Sequence, residues 1–526
     1  MLKIKWLRRL VLLLAFLFFI AALEKNGVVN TTAPPAKNTA QDSLIILTDR
    51  QWITLDPAMA ADPQSAKIIN NIFEGLVKYK PGSVEVEPAL ATGWQVEQDG
   101  RVWIFHLRRG VKFHDNTPFN AQAVKFSVER VMAGKEIMPY SEMVFGMVDK
   151  VEVLNDYTVK FVLKYPYAPF LQNLAMPWAA PMVSPTAVKK LGLDFGRSPV
   201  GTGPFQLQKW QDERLVLTAN ENHWKQAPFI KKVLFQAEAD NRERLKKLAT
   251  GRVDIVDNIY LPKLSAKQLK NTVPVQQTSA SINYLGFYTD KAPFNSSRLR
   301  RAVTMAVNRE KLVQELYNGS ILPAESYIPA GIPGHSKKLT QYPYNIDECK
   351  KLLEQNGYAG GMNLTLITYQ GPRPYNPAGG EKLAQAIKKQ LALAGINVKI
   401  KVYPWPEYKR ALKRREGDCF LYGWVGDNGD PDNFLYTLLT TPQIKRGLNP
   451  AGYSNPQVDR MLASARQVTD PKLRQRIYYH AQQIILQDAP WILFNYGYDS
   501  ALITKNVKNF KLQPTGGYYL YGIYKS

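Results

Sequence analysis

Gly371-Pro372-Arg373-Pro374-Tyr375-Asn376-Pro377, Tyr403-Pro404-Trp405-Pro406-Glu407-Tyr408 and Gly423-Trp424-Val425-Gly426-Asp427-Asn428-Gly429-Asp430-Pro431-Asp432-Asn433 are three stiff, charged loops in one stretch of chain. The residues between them set the fold. Leu364–Thr368 reads as a strand. Glu381–Ala394 reads as an amphipathic helix with Leu383, Ile387 and Leu391 on one face, ended by Gly395. Val398–Val402 alternates as a strand, and Cys419–Val425 is an apolar one. Strand, helix and strand in this order form a crossover that feeds a parallel pair, so the architecture is α/β.

The loops carry the chemistry. Arg373 can grip a carboxylate through two parallel N–H bonds, which a lysine cannot do. The prolines around it fix local dihedrals and hold the loop in one shape. Asp427 can accept from an ammonium, and it follows a strand, where α/β lobes bind ligands. Trp405 and Trp424 are flat plates suited to flank a small zwitterion. Asp430 and Asp432 read as turn formers. An EF-hand fails here, because the ligand spacing and the closing glutamate are missing. No nucleophile–base pair, Gly-x-Ser-x-Gly elbow or zinc motif is present, so this pattern points to holding a ligand rather than transforming it.

Toward the N-terminus, Leu44–Thr48 reads as a short buried strand and Asp62–Tyr79 as a helix. Hairpins are expected around Asp99-Gly100, around Asn155-Asp156, and between Leu207–Trp210 and Leu215–Ala219. Asn120–Val131 is a helix capped by Asn120. Asn241–Thr250 is a helix and Val253–Val256 a strand. A second block starts near Tyr284, with helices at Ser297–Val307, Arg309–Tyr317 and Asp470–Gln487. Trp491–Tyr496 and Ala501–Thr504 read as two strands, the second returning the chain to the first block.

A chain of 526 residues exceeds one core and calls for two or three domains. The net charge of +24 raises nucleic acid as a partner. The basic residues are scattered, with short clusters such as Lys413-Arg414-Arg415 and no recognisable DNA-binding motif. A solvated basic surface facing an acidic envelope or anionic lipid is the reading preferred. Five scattered histidines give no metal-ligand spacing, and no cofactor is implied. Cys349, placed on a helix surface, and Cys419, opening a strand, read as free thiols. A bridge stays open only if the fold brings their Cα atoms within about 7 Å.

Lys3, Lys5, Arg8 and Arg9 precede the apolar run Leu10–Leu23, the pattern of an export signal. No clear small-x-small cleavage site follows directly, so the signal is either removed or kept as an anchor. Residues 24–42 read as a flexible tether.

Five segments in order resemble a known family. They are Thr92-Gly93-Trp94 to His114-Asp115, Pro199-Val200-Gly201-Thr202-Gly203-Pro204-Phe205, Phe287–Asn308, Arg373-Pro374-Tyr375-Asn376-Pro377 and Gly423–Phe434. Together they resemble the bacterial extracellular solute-binding proteins of peptide ABC transporters, most of all the dipeptide-binding proteins. The resemblance implies a two-lobed periplasmic-binding-protein-like fold with a hinge. The first lobe would comprise residues 43–279 plus 498–526, with a β-rich subdomain at 58–200. The second lobe would comprise 280–497. It further implies that Arg373 holds the ligand carboxylate and Asp427 its ammonium, that Trp405 and Trp424 flank its side chains, and that Gly423, Asn283 and Tyr284 add contacts. The protein would be a monomeric receptor that delivers a short peptide to a membrane permease, in the periplasm or another extracytoplasmic space. Other cargo (oligopeptides, nickel chelates, haem or oligosaccharides), a secreted hydrolase, and an envelope sensor or scaffold are the competing readings.

Overall fold

A computed structural model describes residues 42–260, 264 and 270–526. The expected signal and most of the tether lie outside the described residues. Among the described residues, no helix is long and apolar enough to cross a membrane.

The strands are β1 (Ser43–Thr48), β2 (Val77–Tyr79), β3 (Val86–Pro88), β4 (Ala91–Glu97), β5 (Val102–Leu107), β6 (Val148–Asn155), β7 (Thr158–Leu163), β8 (Phe205–Gln211), β9 (Arg214–Ala219), β10 (Lys232–Ala237), β11 (Ile255–Asp257), β12 (Thr272–Phe287), β13 (Met362–Tyr369), β14 (Ile396–Tyr403), β15 (Cys419–Val425) and β16 (Trp491–Thr504). One ten-stranded sheet runs β14-β13-β15-β12-β16-β11-β1-β10-β9-β8 through both lobes. A separate antiparallel sheet, β4-β5-β7-β6, lies within the span expected for the subdomain. The expected turns form as read. Asp99 and Gly100 both take positive φ at the β4–β5 turn, a conformation glycine adopts without strain.

Two long strands pair in the middle of the ten-stranded sheet. The 16-residue β12 and the 14-residue β16 pair antiparallel over nearly their whole length, but the register breaks between Thr278 and Ile282 and again between Asn283 and Tyr284. Breaks of this kind let long paired strands bend. Trp491–Tyr496 and Ala501–Thr504 are therefore parts of one strand, not two. The whole of β12 was unforeseen.

Local chemistry explains where helices begin. The Asn120 side chain accepts from Ala123 N at 3.1 Å, as read from sequence. Asp62 caps α1 (Pro63–Ile72) by accepting from Ser65 N at 2.8 Å. The helix read through to Tyr79 stops at Ile72. Phe73 turns extended, and a side chain at Gly75 would press on the carbonyl oxygens of Val77 and Leu174 at 2.9 and 3.1 Å. The chain then pairs as β2 with β3.

Cys349 and Cys419 are free and buried. Cys349 faces the core rather than the helix surface, and burial pushes its thiol up to about 11.

Candidate functional site

β14, β13 and β15 are neighbouring parallel strands. Arg373 lies in the loop after β13, Trp405 just after β14, and Asp427 just after β15. The three loops singled out in the sequence thus leave the carboxyl ends of three adjacent strands. The chain steps from β13 outward to β14 and then back past β13 to β15. Crevices at such a reversal are where open α/β sheets bind ligands.

The Arg373 loop is a tight turn. Arg373 N donates to Asn376 O at 3.0 Å, and Asn376 N returns the bond at 2.9 Å. The buried Asn376 side chain locks it, accepting from the Tyr317 hydroxyl at 2.8 Å and donating to the Tyr369 hydroxyl at 3.0 Å. Asn495 Nδ2 donates to Tyr375 O at 3.0 Å, and Asn495 Oδ1 accepts from Asn283 Nδ2 at 2.9 Å.

The guanidinium lies over the Trp405 ring, 3.8 Å from its centroid. Trp405 opens α2 (Trp405–Lys413) and stacks on Tyr422 with ring planes 11° apart. Arg373 forms no ion pair among the described residues, and its Nε is buried without a hydrogen-bond partner. A cation resting on an aromatic face is partly stabilised, but its donors remain free for an anion.

Asp427 is the complementary charge. It has no cation within ion-pair distance among the described residues. Burial pushes its pKa up to about 6, against hydrogen bonds donated by the Asn433 side chain and the Tyr140 hydroxyl. Asn433 is itself positioned by Trp424, whose Nε1 donates to Asn433 Oδ1 at 2.7 Å. Tyr140 comes from the region of the small sheet, and burial with the nearby Asp427 charge pushes its phenol up to about 12. Nothing in the sequence around Tyr140 signals this meeting with a residue of the other lobe.

Asp430 forms the turn, as read, its Oδ1 accepting from Asp432 N at 2.8 Å. Asp430 accepts from Arg474 Nη1 and Nη2 at 2.7 Å each, while Arg466 approaches Asp432 at 3.1 Å. The loop is also held from the opposite side. The Tyr79 hydroxyl donates to Asn428 O at 2.6 Å, and Asn428 Nδ2 donates to Asn173 Oδ1 at 2.6 Å.

Three residues expected at the ligand are placed otherwise. Asn283 is fully buried and supports the Arg373 loop through Asn495. Tyr284 is fully buried, with its ring stacked 3.8 Å from that of Trp491. Gly423 is covered, because a Cβ there would overlap the Tyr375 ring. Its absent side chain lets Tyr375 pack over β15. Gly201 and Gly203 pack against the Ile72 backbone.

The model of bacterial extracellular solute-binding proteins, family 5 Middle, matches residues 85–446. The dipeptide-binding protein of Escherichia coli (strain K12) is 31% identical over 476 residues, covering 85% of this chain and 88% of that protein. Heme-binding protein A of Haemophilus influenzae is 30% identical over 532 residues, 96% of each chain. Among solved structures, the ABC transporter-associated periplasmic binding protein DppA from Helicobacter pylori in complex with peptide STSA superposes with a TM-score of 0.74. The identity there is 31%, over 92% of this chain and 98% of that one. The chain belongs to the bacterial extracellular solute-binding proteins of family 5.

Proposed function

We propose that this protein is a receptor for short peptides, foremost dipeptides, which it captures between its lobes and hands to an ABC transporter permease. The observation that carries this reading is the pair of opposite, unpartnered charges at the carboxyl ends of neighbouring parallel strands. Arg373 takes the peptide carboxylate and Asp427 the ammonium. Clamping the termini makes the constant part of a dipeptide the recognised part, while side chains extend past Trp405 and Trp424. The relatives named for dipeptide binding support this reading. The bend between Thr278 and Ile282 supplies the hinge, and lobe closure around the ligand produces the form that a permease recognises.

In this reading the receptor works outside the cytoplasm, tethered by its N-terminal apolar run if that run is retained. Small-angle scattering and calorimetry with a peptide length series test it. Dipeptides compact the protein, tripeptides less, and pentapeptides not at all, since a longer chain leaves one buried charge unpaired. Equal affinity and compaction from two to five residues move the protein to an oligopeptide cargo. Haem, the cargo in the name of the Haemophilus influenzae relative, enters as the control ligand.

A further inference from the structure

The β2–β3 pair and the small β4-β5-β7-β6 sheet share no strand with the sheet whose β15 carries the Asp427 loop. They meet that loop through side chains and turns. The Tyr79 hydroxyl, on β2, donates to Asn428 O at 2.6 Å. Asn428 Nδ2 donates to Asn173 Oδ1 at 2.6 Å, in the short helix Phe170–Leu174. All three residues are buried. Gly429 follows with a φ of 65°, and a Cβ there would fall 2.7 Å from Val84 Cγ1. The loop thus approaches as closely as glycine allows. A second join runs through Arg466, which also approaches Asp432 of the same loop at 3.1 Å. Ala168 N donates to Arg466 O at 2.7 Å, and the guanidinium lies 5.1 Å from the Tyr167 ring centroid.

Each partner in the first join also has a bond on its own side. The Tyr79 hydroxyl lies 3.0 Å from Gln172 O, next to Asn173. Asn173 Nδ2 donates to Met143 O at 2.8 Å. Asn428 Oδ1 accepts from Asp430 N at 3.1 Å. If the two sides part, Tyr79 turns its proton to Gln172 O, and the two asparagines keep these bonds. Asn428 Nδ2 and Asn173 Oδ1 then meet water. A buried polar group is costly only when it is left unpaired, and parting here strands none. Such a join has two satisfied states, unlike a fixed core. It also uses no charge assigned to the ligand, in contrast to the Tyr140 bond to Asp427.

We propose, on the receptor reading and the hinge given above, that Asn428 with Tyr79 and Asn173 is a latch. It holds the small-sheet side against the Asp427 loop and supplies part of the closing free energy that the peptide would otherwise supply. A ligand moves a two-state closure only by its differential affinity for the two states. The latch moves it by a fixed amount, the same for every cargo. It therefore raises affinity without adding selectivity, which stays with Arg373 and Asp427. Its bonds form after the peptide has entered, so they act on departure rather than arrival.

Nitroxide labels on the full chain test this. Leu154→Cys places one label at the end of β6 in the small sheet. Leu473→Cys places the other beside Arg474, which holds the Asp427 loop through Asp430. Both positions are partly exposed, while the native Cys349 and Cys419 are buried. Pulsed electron resonance without added peptide is expected to show a short-distance population in the parent. Tyr79→Phe and Asn173→Ala should each lower its ratio to the long-distance population by about two- to tenfold. Tyr79→Phe keeps the ring, so it reports even if Asn173→Ala fails to fold. A merely structural role would lower the thermal melt and leave that ratio unchanged. Saturating dipeptide should restore the short distances in both variants. Dissociation should be faster by the same factor, with association and the affinity ratio of two dipeptides unchanged. A parent without the short-distance population, or identical distributions in parent and variants, overturns the latch. A variant effect that persists while dipeptide shifts nothing overturns the receptor reading instead and leaves the latch standing.

Discussion

The carbonyl of Ala280 accepts a hydrogen bond from Gly426 N at 2.6 Å. Ala280 lies where β12 and β16 lose register, and Gly426 immediately precedes Asp427. The Ala280 N–H donates in turn to Pro514 O at 2.6 Å, in the C-terminal segment. One residue thus links the bend, the charged loop and the C-terminal segment. In the proposed reading, a ligand held by Asp427 would act directly on the backbone at this bend.

On the other crossing strand, Gly497 faces Ser279, Ser281 and the Pro374 carbonyl, with a virtual Cβ 3.0 Å from that oxygen. Gly497→Ala therefore crowds the bend and the Arg373 loop together. Overpacking of this kind costs about 1–3 kcal/mol. Dipeptide affinity is expected to fall by a similar amount, with less ligand-induced compaction in scattering. Unchanged affinity and compaction would detach Gly497 from the hinge.

Arg373→Ala should weaken dipeptide binding by about 2–5 kcal/mol, because a desolvated carboxylate loses its charged partner. Arg373→Lys should recover only part, since an ammonium lacks the planar fork. Calorimetry giving wild-type affinity for the alanine variant rejects the carboxylate assignment.

Asp427 should make binding depend on pH. Its pKa is raised from 3.8 to about 6. In the unliganded protein a raised carboxyl pKa stabilises the fold below the ordinary carboxylate pKa, and this contribution is lost as pH rises through about 6. Binding has the opposite sign, because an ammonium needs the ionised form. Dipeptide affinity should be full above pH 6 and fall by about tenfold per pH unit well below it, with protons released on binding near the midpoint. Tyr140→Phe removes a donor to the carboxylate, so the midpoint should move upward, by an amount worth about 0.5–1.5 kcal/mol. A flat affinity from pH 5 to pH 8 (both about) would separate Asp427 from the ammonium.

Asp430 is 1% exposed and holds Arg474 by two bonds of 2.7 Å. Removing one partner of a buried pair strands the other charge. Asp430→Asn is expected to lower stability by about 3–5 kcal/mol in urea unfolding. A loss below about 1 kcal/mol would mean that water reaches Arg474.

Local periodicity and turn chemistry determined much of this protein. Leu383, Ile387 and Leu391 on one helix face, the cap at Asn120, and the positive-φ pair Asp99-Gly100 act within a few residues, so the sequence displays them directly. The proline-stiffened Arg373 loop and the Asp427 turn were legible for the same reason. Tertiary structure alone decided the rest. The first half of β12, Thr272–Ser281, is largely polar and does not alternate cleanly, and it becomes a strand because β16 supplies its partners. The helix read through Tyr79 is cut at Ile72 because Gly75 packs against the Leu174 carbonyl, about a hundred residues away. Asn283 and Tyr284 sit on the strand that crosses at the site, but register turns them into the core. Tyr140 reaches Asp427 only through the packing of one lobe on the other. Hydrophobic pattern fixes which face of an element is apolar; strand register and lobe packing fix which distant side chains meet.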